Sequence, residues 1–238
     1  MGILRKEMRF GKIDYLNLLP FEVFIHSYPA PSHFKLFYRK KKSYPSKLNQ
    51  EFLFGRIDAG FVSSILASNP NQFYASKIGI VAKKEVISVI CLPKKSGEDY
   101  QSNTSNALLK VLKIKGGVLI GDRALREVLR QKALGQKDYI DMAQLWVKKQ
   151  KLPFVFGRLC IKKHRDFFEK LIAAFAKKPI KIPQYLLQDA SKKSKIEAKE
   201  ILKYLQVLSY KIDNKASLGV KRFYRELRLA GIKPPKRF

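Results

Sequence analysis

Apolar runs of strand length recur along this chain, and stretches with the apolar spacing of helices lie between them. This alternation is typical of α/β folds with largely parallel sheets. The chain has 238 residues, of which 46% are hydrophobic, so it can bury the core of one large domain or of two modest ones. We therefore expect an α/β fold. The strand-like runs are MRFGKIDYL, HFKLFYR, DAGFVSS, VISVICLP, GGVLIGD and LPFVFGRLCI.

The spacing of apolar residues predicts helices between these strands. One helix begins after Pro45 and ends near Gly55. Two more begin at Thr104-Ser105 and at Asp122, and the chain is mainly helical from about residue 165 onward. The polar segments 94–104 and 188–196 are the predicted connectors.

The chain is strongly basic. It carries 49 Lys and Arg against 19 Asp and Glu, which gives a formal net charge of +30. Such a field attracts anions without selecting among them. The basic runs are spread over the whole chain, and no pattern of interleaved aromatic residues typical of RNA binding accompanies them. A generally basic surface is therefore favoured over a specific nucleic-acid site, which would predict a steep salt dependence of binding.

Several classes of protein are disfavoured by what the sequence lacks. No stretch reaches the roughly 20 apolar residues that span a bilayer, and the start has no signal-type core, so we expect a cytoplasmic protein without membrane insertion. Cys91 and Cys160 lie in apolar runs, as buried inert thiols do. There is no GxGxxG, GxxxxGK[ST], HExxH or CxxC motif, so the sequence predicts neither a bound cofactor nor a metal site.

Polar residues stand where predicted strands end or helices begin. They are Tyr15 and Asn17 before Pro20, Thr104-Ser105, and Gly121-Asp122. In open α/β sheets ligands bind beyond the carboxyl ends of strands, and a helix N-terminus attracts anions. These residues are therefore candidates for lining a crevice. The alternatives are that Thr104, Ser105 and Asp122 are only helix caps and that Asn17 belongs to a turn.

Ser88 is a further candidate, because it is a hydroxyl residue inside the apolar run VISVICLP. A hydroxyl in so apolar a strand needs a hydrogen-bond partner or a function. The residues alone leave both interpretations open.

Several stretches, taken in order, resemble the chorismate dehydratases of the futalosine route to menaquinone. The resemblance covers nearly the whole chain. The stretches are GKIDYLNLLPF, PSKLNQEFLFGRIDAGFVSS, VISVICLP, TSNALLKVL, LIGDRAL, DMAQLWVKKQKLPFVFG and YLQVLSYKIDNKASLGVKRFYRELRLAGI.

This resemblance implies a two-lobed fold like that of type II periplasmic binding proteins, with the ligand in the cleft between the lobes. One lobe would comprise residues 1–91 and 159–238, and the other residues 92–158. The resemblance places Asn17, Ser88 and Thr104-Ser105 at the ligand pocket. Arg158 stands in a stretch that departs from the family pattern and either pairs with a substrate carboxylate or lies on the surface.

The implied reaction removes the ring hydroxyl of chorismate as water and leaves 3-[(1-carboxyvinyl)oxy]benzoate. Our hypothesis is that proton loss comes first, while hydroxyls and amides at Thr104-Ser105 and Ser88 hold the charge that grows on the ring carboxylate. Asn17 either holds the departing hydroxyl or orients the ether. No residue is identified as the base, and a carboxylate of the substrate is one hypothesis for it.

Two other functions remain open at this point. A dihydroxynaphthoate synthase of the same pathway would be expected to open with an SPCPNDT-like stretch and to use a histidine, whereas this chain opens with YLN and has no suitable histidine among its three. A non-catalytic solute-binding protein would share the fold, and fold alone does not separate it from an enzyme.

Overall fold

The structure is a computed structural model that describes residues 7–68, 73–177 and 180–236. Strands and helices follow one another along the chain, and short 3-10 turns lie at Leu16–Leu18 and Leu66–Ser68. The strands are β1 (Phe10–Ile13), β2 (Lys42–Ser43), β3 (Ala59–Ser63), β4 (Tyr74–Ala82), β5 (Val89–Leu92), β6 (Gly117–Ile120), β7 (Ile140–Asp141), β8 (Phe154–Ile161) and β9 (Leu208–Lys211). The helices are α1 (Leu19–Ser27), α2 (Ser32–Lys40), α3 (Pro45–Leu53), α4 (Asn103–Leu112), α5 (Gly121–Ala133), α6 (Met142–Gln150), α7 (Arg165–Lys177), α8 (Gln184–Ser194), α9 (Ala198–Gln206) and α10 (Asn214–Leu229).

The described strands form two sheets. The larger has six strands in the order β2-β1-β3-β8-β4-β9, and the smaller has three in the order β6-β5-β7. β1 is parallel to β2 and β3, whereas the other pairings in both sheets are antiparallel. The α/β prediction is confirmed, but the prediction of largely parallel sheets is wrong, because β8 and β9 return to the large sheet in the opposite direction.

The chain passes between the two sheets twice, at residues 83–88 and 151–153. These passages differ by a few residues from the predicted lobe limits. Val89–Leu92 pairs within the small sheet, and the whole of Phe154–Ile161 pairs within the large one. The division into lobes itself stays a prediction.

Each sheet supports its own aromatic core. Phe10 of β1 stacks on Phe21 with 5.6 Å between ring centroids, beneath helices α1, α2 and α7. In the other core, Trp146 of α6 meets Phe154 at 5.2 Å and Phe223 of α10 at 5.9 Å. The C-terminal helix therefore packs where β8 leaves the small-sheet half of the molecule.

Two local predictions are wrong. The run HFKLFYR is not a strand but part of α2, since Phe34 and Tyr38, four residues apart, are buried on one helical face while Leu36 is exposed. The segment 188–196 is mostly helix α8 and not a connector. Leu187 and Ser194 are the buried residues of that helix.

The first passage between the sheets contains a strained residue that a buried carboxylate holds. Ile87 has a φ of +51°, a left-handed conformation that is rare for a β-branched residue. One oxygen of Asp141 accepts hydrogen bonds from the backbone N–H groups of Val86 (2.9 Å) and Ile87 (2.6 Å). The other accepts from the N–H of Gln144 at 2.8 Å. Asp141 thereby fixes the turn that directly precedes Ser88.

A second carboxylate joins the turn after β1 to the small-sheet half. Asp122, in the first turn of α5, accepts a hydrogen bond from the N–H of Leu16 at 3.0 Å. Burial raises the pKa of Asp122 from its ordinary value, although the bond from Leu16 opposes that shift. The bond therefore ties the polar turn that contains Tyr15 and Asn17 to the start of α5.

We expect Asp141→Asn to lower the free energy of unfolding by about 2 kcal/mol, because the amide NH₂ group must face backbone N–H donors on one side or the other. Burial also raises the pKa of Asp141, so removing the charge offsets part of the loss. Urea unfolding followed by the fluorescence of Trp146, the single and fully buried tryptophan, measures this change. Asp138→Asn is the control, since Asp138 is 56% exposed and pairs with Lys94 at the surface. Equal midpoints for Asp141→Asn and the unmutated protein would contradict the assignment.

Asp122→Asn should behave differently, because an amide oxygen can still accept the hydrogen bond from Leu16 while the buried charge is removed. Because the pKa of Asp122 is raised in the folded state, protonation of this carboxyl stabilises the fold. That stabilisation is complete below about pH 4 and is lost as the pH rises through the folded-state pKa. The variant should therefore melt at the same or a higher temperature than the unmutated protein at pH 7, and this difference should vanish below about pH 4. A lower melting temperature at pH 7 would show that the charge itself holds the turn.

Candidate active site

A narrow cavity lies between the two sheets, at the ends of β1, β3 and β6 and beside the start of α4. Its free space is small, about 40 Å³ for the centres of water-sized molecules. The lining residues come from both halves of the molecule. They are Ile13, Tyr15, Asn17, Pro45, Val62, Ser63, Ile80, Val86, Ser88, Val89, Ser102, Ser105, Ile120, Gly121, Phe156 and Gly157.

The polar groups on these walls are neutral. Hydroxyl groups and one side-chain amide stand among aliphatic and aromatic side chains, and none of the described lining residues is charged. A bound anion would thus be held by hydrogen bonds and helix dipoles rather than by ion pairs.

Tyr15 forms part of one cavity wall and is held there by a hydrogen bond. Its hydroxyl donates to the side-chain oxygen of Gln101 at 2.6 Å. Arg123 also donates to that oxygen at 2.8 Å and to the Asp99 carboxylate at 2.8 Å. Burial raises the pKa of Tyr15, so the phenol remains a hydrogen-bond donor at neutral pH. The predicted position of Tyr15 at the crevice agrees with this arrangement.

Asn17 lies in the 3-10 turn Leu16–Leu18 and reaches the same cavity. Its side-chain oxygen is buried and has no hydrogen-bond partner within the described part of the chain. Its backbone carbonyl accepts a hydrogen bond from the hydroxyl of Tyr210 at 2.6 Å. The turn is therefore fixed, and the amide oxygen is available to accept a hydrogen bond from a ligand. Such a bond is favoured because a buried acceptor is costly to leave unpaired.

Ser88 stands at the end of the first passage between the sheets. It is 2% exposed, and its hydroxyl oxygen accepts a hydrogen bond from the hydroxyl of Tyr204 at 2.9 Å. Its backbone carbonyl accepts from the N–H of Gly121 at 2.8 Å. The sequence left open whether Ser88 has a partner or a function, and the structure gives it both a partner and a place on the cavity wall.

The start of α4 points into the cavity through two serines. Ser102 is the N-cap of this helix and accepts a hydrogen bond from the N–H of Ser105 at 3.0 Å, and their hydroxyls lie 2.8 Å apart. The prediction of Thr104 or Ser105 as the helix cap is therefore wrong by two or three residues. Thr104 lies outside the cavity lining, where its hydroxyl accepts from the N–H of Ile65 at 3.2 Å.

The remaining candidates divide between the cavity and its surroundings. Gly121 lines the cavity, whereas Asp122 binds the turn behind it. The structure does not bring Arg158 into the cavity. Its guanidinium donates to the backbone carbonyls of Ala75 and Ser76, both at 3.1 Å.

Sequence reasoning missed other residues of this site. Ser63 lines the cavity and accepts a hydrogen bond from the amide of Asn49 at 2.5 Å, and its N–H donates to Asn49 in return. A serine at the end of the predicted strand DAGFVSS was an available signal. Tyr204 and Tyr210 carried no such signal, because they are far along the chain from the residues that they contact.

Gly121 permits the close packing of Tyr15. A methyl group at Gly121 would lie 2.9–3.0 Å from atoms of the Tyr15 ring, and its φ is +65°. Gly135 has nearly the same φ, +66°, but an added methyl group there meets no atom within 4 Å. The pair separates backbone strain from the collision with Tyr15.

We expect Gly121→Ala to cost more stability than Gly135→Ala, by about 1–3 kcal/mol, because a ring packed to native density must move. Gly135→Ala should show only the cost of an alanine in the left-handed region, about 1 kcal/mol. Urea unfolding of both variants measures the difference. Equal losses would show that the contact between Gly121 and Tyr15 is not tight.

The described ranges 7–68, 73–177 and 180–236 include no helix that is long and apolar enough to cross a membrane. The predicted cytoplasmic location stays a prediction.

Comparison with solved structures places the fold among the periplasmic binding proteins. Protein AF1704 from Archaeoglobus fulgidus superimposes with a TM-score of 0.70 at 14% identity, over 94% of this chain and 98% of that one. The alkanesulfonate-binding protein SsuA from Xanthomonas axonopodis pv. citri, bound to MOPS, gives 0.53 at 11% identity, over 98% and 96%. The periplasmic aliphatic sulphonate binding protein SsuA from Escherichia coli gives 0.51 at 13%, over 97% and 94%. The predicted periplasmic-binding-protein-like fold is confirmed.

Comparison of sequences identifies the family. A chorismate dehydratase from Campylobacter jejuni is 40% identical over 220 residues, which are 92% of this chain and 96% of that protein. A protein-family profile described as menaquinone biosynthesis matches residues 8–115 and 110–228. The predicted resemblance is thereby confirmed, and the chain belongs to this family of menaquinone biosynthesis proteins.

Proposed function

We propose that this protein is a chorismate dehydratase, a hydro-lyase that converts chorismate to 3-[(1-carboxyvinyl)oxy]benzoate. The Campylobacter relative and the family support the reaction class. The observation that carries the proposal is the buried, unpartnered amide oxygen of Asn17, which lines one small cavity together with Ser88. A ligand with a hydroxyl group would satisfy that oxygen.

The two carboxylates of chorismate would be held by neutral donors. The hydroxyls of Ser63, Ser88, Ser102 and Ser105 and the positive end of α4 surround the cavity. Hydrogen bonds to a carboxylate are stronger in a site that excludes water, because the local dielectric constant is low.

The reaction breaks two bonds on adjacent ring carbons. The C–H bond next to the enolpyruvyl ether breaks first, and its electron pair moves through the ring double bond toward the ring carboxylate. The C–O bond of the ring hydroxyl then breaks, the ring becomes aromatic, and the leaving hydroxide takes up the proton removed in the first step to form water. The protein's share is to stabilise the charge on the carboxylate, where one preorganised donor contributes about 3–4 kcal/mol in other enzymes.

Asn17 would act on the departing hydroxyl. Its amide oxygen accepts the hydrogen of that group in the ground state, and the amide NH₂ group of the same side chain can donate to the oxygen as it leaves. No carboxylate or histidine side chain stands among the described lining residues, which supports the hypothesis that a carboxylate of the substrate itself acts as the base.

Closure of the two halves would protect the charged intermediate. Apart from the hydroxyl groups and the Asn17 amide, the side chains on the walls are apolar, chiefly Ile13, Val62, Ile80, Val89 and Phe156. Chorismate must enter by separation of the halves, since the closed cavity is too small for exchange. Water is then excluded during the chemical step.

The test is to incubate the purified protein with chorismate, without added cofactor, and to follow the products by chromatography with mass detection. We expect a product lighter by one water with the absorbance of an aromatic enolpyruvyl ether. Chorismate that disappears no faster than by its spontaneous decay, in the presence of folded protein, would contradict the proposal and favour a binding protein on this fold.

Asn17→Ala should lower kcat by a factor of about 100 or more, because it removes a group that acts on the leaving hydroxyl. Asn214→Ala is the matched control, since Asn214 is an exposed asparagine at the start of α10. Steady-state rates of water loss from chorismate compare the two. An Asn17→Ala enzyme as fast as Asn214→Ala would exclude Asn17 from the reaction.

A further inference from the structure

The two predicted catalytic residues are each held by a tyrosine from one short C-terminal segment. Tyr204 lies in α9 and donates to the Ser88 side chain, and Tyr210 lies in β9 and donates to the Asn17 backbone. The bond to Ser88 has the more direct chemical consequence, because it engages the hydroxyl that faces the cavity.

Tyr204 is fixed in position by its packing. It is 1% exposed and belongs to a core cluster that includes Leu16, Leu125 and Ile201. This cluster joins α9 to the turn after β1 and to α5, so Tyr204 belongs to a core that both halves of the molecule supply.

The direction of this hydrogen bond follows from the two hydroxyls. Burial raises the pKa of Tyr204, although the hydrogen bond with Ser88 opposes the shift, so the phenol keeps its proton at neutral pH. A phenol is a stronger donor than an aliphatic hydroxyl. Ser88 faces the cavity, where its hydroxyl hydrogen can be donated to a ligand. Tyr204 is enclosed, and its hydroxyl donates to the Ser88 oxygen.

The backbone of Ser88 leaves little freedom for another arrangement. Its N–H donates to the carbonyl of Val86 at 2.7 Å, and its carbonyl accepts from Gly121 at 2.8 Å. With the backbone held at both ends, rotation of the side chain is the freedom left to Ser88, and the bond from Tyr204 acts on that side chain.

We propose that Tyr204 is a positioning residue for the dehydration, acting through Ser88. By occupying an acceptor site on the Ser88 oxygen, it turns the Ser88 hydrogen into the cavity and strengthens that hydroxyl as a donor to the substrate. Hydrogen bonds in a chain polarise one another, so the second bond is stronger than an isolated one. This inference rests on the proposed function, because the substrate that receives the hydrogen bond is the one assigned above.

The test compares Tyr204→Phe with Tyr38→Phe. Tyr38 is also 1% exposed, but its hydroxyl has no hydrogen-bond partner among the residues that the structure describes, and it lies on the buried face of α2, in the core of the large sheet. Both substitutions remove one buried hydroxyl and keep the ring. We expect Tyr204→Phe to lower kcat about 10-fold with less than about a 3-fold change in KM, and Tyr38→Phe to leave both unchanged.

A double-mutant cycle with Ser88→Ala separates positioning from a general loss of structure. If Tyr204 acts through Ser88, Tyr204→Phe should change kcat less than about 2-fold in the Ser88→Ala background, because the hydroxyl that it orients is already absent. Equal effects of Tyr204→Phe in both backgrounds would overturn the inference. Thermal unfolding followed by Trp146 fluorescence checks that each variant is folded.

The outcomes also separate this inference from the proposed function. An unmutated protein that does not consume chorismate would overturn the function and this inference with it. An active protein whose Tyr204→Phe variant matches Tyr38→Phe in kcat and KM would overturn the positioning role alone.

Discussion

Hydrogen bonds that cross between the two halves of the molecule hold the walls of the cavity together. The N–H of Leu16 donates to Asp122, and Tyr15 donates to Gln101. On the opposite side, the N–H of Ile65 donates to Thr104. These are polar groups at the ends of strands and helices, where the backbone has no partner within its own element. The same requirement that closes the cleft therefore also shapes the site within it.

The charge of the protein and the neutrality of the cavity have separate roles. A net charge of +30 raises the local concentration of an anionic substrate and its encounter rate. Inside the cavity, the neutral donors would stabilise the charge that develops on the ring carboxylate in the proposed reaction. Only stabilisation that is greater in the transition state than in the ground state accelerates the chemical step. Near the cavity, Lys42 and Lys193 are directed to Asp14, which accepts from Lys193 at 2.6 Å.

Patterns that depend on neighbouring residues were predictable from the sequence. The helix after Pro45 ends before Gly55 as expected, and polar residues at strand ends identified Tyr15, Asn17 and Gly121 as cavity residues. β4 was missed, because its exposed Lys77 and the register shifts in its pairing interrupt the alternation that marks a strand. Side-chain direction was not predictable either: Arg158 follows Gly157 in β8, and successive residues of a strand face opposite sides of the sheet.

The contacts of the C-terminal segment lie furthest from what a local pattern can reveal. Tyr204 and Ser88 are separated by 116 residues, and Tyr210 and Asn17 by 193. Neither tyrosine belongs to a motif, and each would be interpreted from sequence as an ordinary core residue. The geometry at Ser88 and Asn17 therefore depends on where α9 and β9 pack, which a local sequence pattern does not specify.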